Sequence, residues 1–475
     1  MPIRSSASRH LHRSQISNCL AVALGLSTIA TPASASQDVH HLSVPSSAHA
    51  WITVDSDRSD QPAAVSQVMN CDDHGSGSLR AEIAAAIDGS TIDLSALTCS
   101  TITLESEIYI AQNDLRLVGP RADLLAIDGN SHSRNFRHAG AGTLQVENLT
   151  ISNGYYVSTF GAIGGCIASF SGSVVLINSV VSDCILLGTG EHARGGGIFA
   201  ASDLKMLGST ISGSLVSSAT GTAKGGAAYV AGDFHAKYSS ISNNAAYTPV
   251  YSSGIYSEAG GIFDFGGNVT IKSSTISANR SFFYTGLFVG SLSNHSAAIS
   301  NSTISSNTAK FAVGGVFTRA PITLSNSTIA FNTSVNSFPG AGLRADDAPI
   351  SLYSSIIAGN GGTQGDSDVA GFGSTTISGT DNLIATSTLP LPAGTTQSCP
   401  KLGPLARNGG DTLTHAPAHD SPAIDHGSAP STLTNDQRLA PRLAGAQVDI
   451  GSVERQIGET DERLFISGFD GRCEQ

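Results

Sequence analysis

Four basic side chains recur at matching places in an alternating phrase: Lys205 in "DLKML", His235 and Lys237 in "DFHAK", and Lys272 in "NVTIK". Placed on one face, with Lys237 over Lys272, they make a basic spot on an acidic chain, suited to an acidic sugar. The competing reading is a plain solvated face. Acids able to act on such a sugar are fewer. Hydrolysis of a glycosidic bond needs two carboxylates roughly 5–9.5 Å apart. Elimination needs a base such as Arg or Lys, with acids that hold Ca2+ or a group that neutralises the uronate. Asp264 in "GGIFDFGG" and Asp346-Asp347 after "GLRA" are the catalytic candidates, against corner or cap duty. Asp366 and Asp368 in "GDSDVAG" are candidates for Ca2+, although the repeated Gly-Gly-x-Gly-x-Asp phrase is missing. No H-E-x-x-H, Walker loop, G-x-S-x-G elbow or C-x-x-C occurs.

The elements that must carry these residues repeat. Ile151, Val181, Ile211, Ile241, Ile276, Ile304, Ile329 and Ile356 mark recurrences of a Ser-Thr-Ile-Ser-x-Asn phrase at roughly 25 to 35 residues. Each interval opens on a Gly-rich piece ("GGCI", "GGGIF", "GGAAY", "GGIF", "GGVF") and continues through the alternating phrase. There Val174, Leu204, Phe234, Val269, Ala297 and Ile322 fall in register, with polar residues between the apolar ones. Period two with one wet face is a strand signature, and no segment has the length at 3.6 spacing that a repeat helix needs. Three short strands per coil, stacked turn on turn, describe an all-β right-handed parallel β-helix. Asn244, Asn279, Asn307 and Asn332 share the third place after their isoleucine, where stacked amides bond along a column and Asn suits a left-handed corner.

Composition narrows the setting. The 475-residue chain is only 13% charged, with a formal charge of −12, which argues against nucleic acid and anionic membranes as partners. Residues 1–35 read as a signal peptide: Arg4, Arg9 and Arg13, a short apolar run from Cys19 to Ala30, then Ala33-Ser34-Ala35. Their removal takes the charge to about −15 and leaves no further membrane span. Six cysteines remain (Cys71, Cys99, Cys166, Cys184, Cys399, Cys473), and export with an even count suggests disulfides. Six cysteines allow fifteen pairings; nearest neighbours (71–99, 166–184, 399–473) are the simplest set.

Stacked coils expose strand edges that need covers. At the front, "GSGSLRAEIAAAIDGSTIDLS" gives a helix capped by Ser78, with Leu79, Ile83 and Ile87 on one face. Together with "LVGPRADLLAIDGN" and the Gly-Gly and "NSTISSN" coils, it resembles the parallel β-helix (pectin lyase-like) proteins of bacterial surfaces and secretions. "LARNGGDTLTHAPAHDSPAIDHGS" followed by "NDQRLAPRLAGAQVDIGSVE" is similar to the module called choice-of-anchor Q, and "LFISGFDGRCEQ" to a short terminal sorting motif. The expected organisation is a flexible segment over 36–70, cap and first coils over 71–147, regular coils over 148–380, a cap over 381–456 and a tail over 457–475. The resemblance implies the fold and a secreted or outer-surface address, not one activity. The expected function is non-catalytic: adhesion or binding of a cell-surface glycan by a monomer. The alternative is a polysaccharide lyase or glycosidase acting on an acidic polysaccharide. No cofactor is expected, apart from Ca2+ for a lyase. The polygalacturonase pattern is incomplete, since its Gly-His-Gly is absent.

Overall fold

The computed structural model describes residues 64–290, 294–336, 339–362, 367–429 and 433–460. The chain winds as a parallel β-helix. One coil shows the plan: Ile198–Ala200, Leu204–Leu207, Thr210–Ser212, Leu215–Ser218 and Thr222–Lys224, after which Ala228–Val230 pairs with Ile198–Ala200 and the next coil begins. Corresponding strands stack in parallel into sheets that we call C, A, B, D and E in that chain order, with 10, 12, 11, 8 and 4 strands among the described residues. At about 4.8 Å per coil, sheet A alone is about 50 Å long.

The three pieces legible in the repeat are sheets C, A and B. Sheets D and E are additions in the link from the Ser-Thr-Ile phrase to the next Gly-Gly: most coils form a sheet D strand there, and the longer links add one of sheet E. They enclose a small second core of Ala162, Leu186, Ala193, Val216, Ala223 and Ala246.

The repeated phrase now has a physical reading at each position. Its isoleucines stack in register and face inward, Ile151 through Ile329, each at most 1% exposed. The row continues to Ile357, not Ile356, because Ile357 lies over Ile329. The Ser before each Thr-Ile accepts the backbone N–H of the equivalent Ser one coil back, as Ser209 does from Ser179 and Ser239 from Ser209. The Asn column runs as expected: the Asn244 amide donates to Asn279 Oδ1 (3.0 Å), Asn279 to Asn307 (2.9 Å), Asn307 to Asn332 (2.9 Å) and Asn332 to Asn360 (2.8 Å). These Asn do not take the left-handed corner. The residue before each does: Asn243, Ala278, Ser306, Phe331 and Gly359 all have positive φ. The corner leaves the Asn side chain free to point along the stack.

Both ends are covered. Ser78 caps the helix α1 (Leu79–Ala85), which buries Leu79 and Ile83. Ile87 lies beyond the helix and is exposed, because Ala86 is already extended and leads into the strand Ser90–Asp93. At the far end Leu389 and Leu391 pack on the core. The chain then turns back and lies as a strap along the outer face of sheet B. The outward Thr of successive coils receive it: Thr275 Oγ1 donates to the Leu413 carbonyl (2.6 Å) and Thr303 Oγ1 to Gln437 Oε1 (2.7 Å), while Thr328 Oγ1 accepts from Ser452 N (3.1 Å). Ile356, turned outward, joins Leu383, Leu402, Ala423 and Ile450 in the strap's own core.

Candidate functional site

Sheet C positions the richest set of chemical groups. In its Gly-Gly-x-aromatic piece the residue between two inward ones points out. Parallel coils in register therefore stack five rings, Phe199, Tyr229, Phe263, Phe288 and Phe317. Successive centroids are 5.6, 5.2, 4.4 and 5.5 Å apart, with planes 4–23° from parallel. The coil spacing matches that of offset-stacked rings, so the column stabilises itself. Its inner rings spend their faces on one another and are buried.

Cations sit on the edge of this column. Arg194 and Lys224 end their strands in sheet E, one above the other. Arg194 lies 5.5 Å from the Tyr229 ring centre and Lys224 Nζ 4.6 Å from that of Phe263. Arg319, just past the strand Val316–Thr318, lies 5.5 Å from Phe317. Such contacts hold a cation at the surface without neutralising it. Among the described residues Arg194 and Arg319 make no ion pair.

Sheet E stops at Tyr256–Glu258 whereas sheet C runs on, which leaves a step. Polar groups gather there. Lys224 Nζ is 2.8 Å from Glu258 Oε2, and Arg344 Nε donates to Asp346 Oδ1 (2.9 Å). Tyr284 stacks on Phe317 at 3.9 Å. Burial first, then the Glu258 carboxylate, pushes the Tyr284 and Tyr256 phenols above their usual range; the Arg319 guanidinium opposes this for both. Both are therefore neutral hydroxyl donors near neutral pH.

The residues singled out in the sequence fall elsewhere. Lys205, His235, Lys237 and Lys272 do come together, facing outward on sheet A with Lys205 against His235 and Lys237 against Lys272. The face is not an open basic row, because Val175, Ile177 and Leu207 lie outward beside them and are buried together with Tyr238. Burial holds His235 and Lys237 below their ordinary ranges, with Lys272 adding to the effect on Lys237.

Asp264 is corrected outright. As the third residue of its strand it points inward, between Val230 and Val289, fully buried. Burial pushes its carboxyl up to about 8. It belongs to the interior and reaches no substrate. Asp346 is held by Arg344. Asp347 occupies a left-handed corner (φ +55°), and its Oδ1 accepts from Ser374 N (3.0 Å). Asp368 spends its carboxylate on the fold: one oxygen takes Asn360 N and Nδ2 (2.7 and 3.0 Å), the other Thr386 N and Oγ1 (3.0 and 2.8 Å). Asp366 lies outside the described residues. Cys71–Cys99 and Cys166–Cys184 are disulfides. Cys399 bonds no described cysteine, and Cys473 lies outside the described residues.

The step residues Lys224, Tyr256, Glu258, Tyr284, Arg319 and Arg344 were not singled out in the sequence. Two signals mark them: an aromatic residue after most Gly-Gly pairs, and a fall in coil interval from 35 residues (Ile241 to Ile276) to 28 (Ile276 to Ile304) where sheet E ends.

No family model matches the chain, and no curated protein matches it. Among solved structures it is similar to that of pectate lyase Pel9A, with 12% identity over 83% of this chain and 98% of that chain, and a TM-score of 0.38. So distant a likeness says nothing of activity; the parallel β-helix is established by the ladders themselves.

Proposed function

We propose that this is an exported β-helix, secreted or held at the cell surface, that binds an acidic polysaccharide in an adhesive role without cleaving it. The binding face is the ring column of sheet C with its cations. The observation that carries the reading is the placement of Arg194 and Arg319 over rings of one column, with Lys224, which Glu258 holds, on a third ring between them, on a chain of net charge −12. Cations on a flat, ring-backed face suit a polymer of sugar carboxylates, and neutral Tyr256 and Tyr284 hydroxyls add hydrogen-bond donors. The step offers little for catalysis. Its acids Glu258 and Asp346 are engaged by cations, and its phenols hold their protons, so neither supplies a base near neutral pH. Export rests on residues 1–35 and on the paired cysteines. The strap's likeness to the choice-of-anchor Q module, with the tail over 457–475, supports surface attachment.

A lyase is the second reading, favoured by one observation: Arg319, which makes no ion pair among the described residues, lies on the Phe317 ring on which Tyr284 stacks, so that a cation and a phenol share one surface. Titration of the protein with polygalacturonate and with alginate, by calorimetry at two salt concentrations, separates the readings. The expected result is binding that weakens with salt and falls about 10- to 100-fold in Arg319→Ala, the worth of one charge-assisted contact. Unsaturated uronate products, with or without Ca2+, would replace binding by cleavage. Failure to bind either polymer would overturn the proposal.

A further inference from the structure

We infer that a second cation–ring station, Tyr109–Arg137–Phe170, lies at the front of the same face, and that the ligand is a linear polyanion running along the coil axis through both stations. This inference rests on the glycan-binding reading above. Tyr109 and Arg137 occupy the outward column of sheet C that continues, through Ala168, into Phe199 and the ring stack. The Arg137 guanidinium lies 5.6 Å from the Tyr109 ring centre and 5.1 Å from that of Phe170. Unlike the rings of the inner stack, these two are open: Tyr109 is 55% and Phe170 41% exposed. The nearby acid Glu107 is committed to the buried Arg134 at 2.8 Å and reaches Arg137 only at 3.8 Å. Arg137 thus presents its charge to solvent, framed by two exposed rings.

Six coil steps separate the Arg137 strand from the Phe317 strand, about 29 Å at roughly 4.8 Å per step. Between the two stations the outward column runs through Ala168, Phe199, Tyr229, Phe263 and Phe288, so the stations lie in line along one row of rings. That row fits an extended chain that carries charge along its length. A compact anion would occupy one station only. Simultaneous occupation makes the second contact intramolecular and raises affinity by orders of magnitude.

The test compares two probes on the full chain, a trigalacturonate too short to reach both stations and a long polygalacturonate, with Arg137→Gln and Phe170→Ala as separate variants. Both positions are at the surface, and thermal melts verify folding. The expected result is that wild type binds the polymer at least 100-fold more tightly than the trimer. Either substitution should cut polymer affinity at least tenfold and lower trimer affinity by less than about twofold, because the Arg319 station still takes a trimer. Polymer affinity untouched by both variants, or equal wild-type affinity for the two probes, would overturn the second station while leaving glycan binding intact. No binding of either probe by wild type would overturn both.

Discussion

Asp264 is an acid whose surroundings set its chemistry. It stands in an inward column between two valines, and burial pushes its carboxyl up to about 8 against an ordinary 3.8. The folded state therefore keeps a proton that the unfolded chain releases from about pH 4 upward. Through this group stability should fall as pH rises from about 4 to 8, by up to about 1.4 kcal/mol per pH unit, and level off above. Asp264→Asn removes the titration. Denaturation midpoints measured across that window should lose this downward slope, and the variant should be the more stable protein at pH 8. An unchanged slope would mean that the carboxyl is charged in the fold. Nothing in "GGIFDFGG" betrays this, since Asp after an apolar pair reads equally well as a turn; only the register places it inside.

At the level of elements, the strap on sheet B is a second layer, not an end plug. Its apolar contact comprises Ala330, Ile356, Ala358 and Leu383 from the coils against Leu402, Ala423 and Ile450. His415 anchors it, with Nε2 2.8 Å from Ser305 Oγ and Nδ1 2.7 Å from the Gly403 carbonyl. Ending the chain at Gln397 would leave Ile356 and Leu383 in water at about 1.5–3 kcal/mol each. The truncated protein should melt well below the intact one and bind an apolar-surface dye; an unaltered melt would show the strap to be dispensable. The strands of sheets A, B and C were legible because coils in register repeat the same residue types at the same offsets. The strap and sheets D and E were not: their contacts join distant parts of the chain or rest on alanines and hydroxyls, which carry little periodic signal. Ile356 shows the boundary. "SSIIAGN" offers two isoleucines, and the Asn three places on selects the second, as it does in the preceding coils. The step residues escaped because each is unremarkable in its own coil, and they meet only across coils of different length.

For the molecule as a whole, the long axis governs both stability and recognition, since every ladder, ring stack and side-chain column runs along it. The Asn column has a direction. Each amide donates toward the C-terminal coil, from Asn244 through Asn360, and the series ends on Asp368, whose carboxylate receives the last amide at 3.0 Å. A carboxylate in this role has no N–H to pass on. Between Asn244 and Asn360 the relay passes only through windings that bring their own Asn, whereas the earlier windings stack without one, Ser214 giving its backbone N–H to Asn244 Oδ1 at 3.0 Å. Asp368 thus closes the amide series without closing the stack, since the strands Val369–Phe372, Ile377–Thr380 and Leu383–Ile384 follow it.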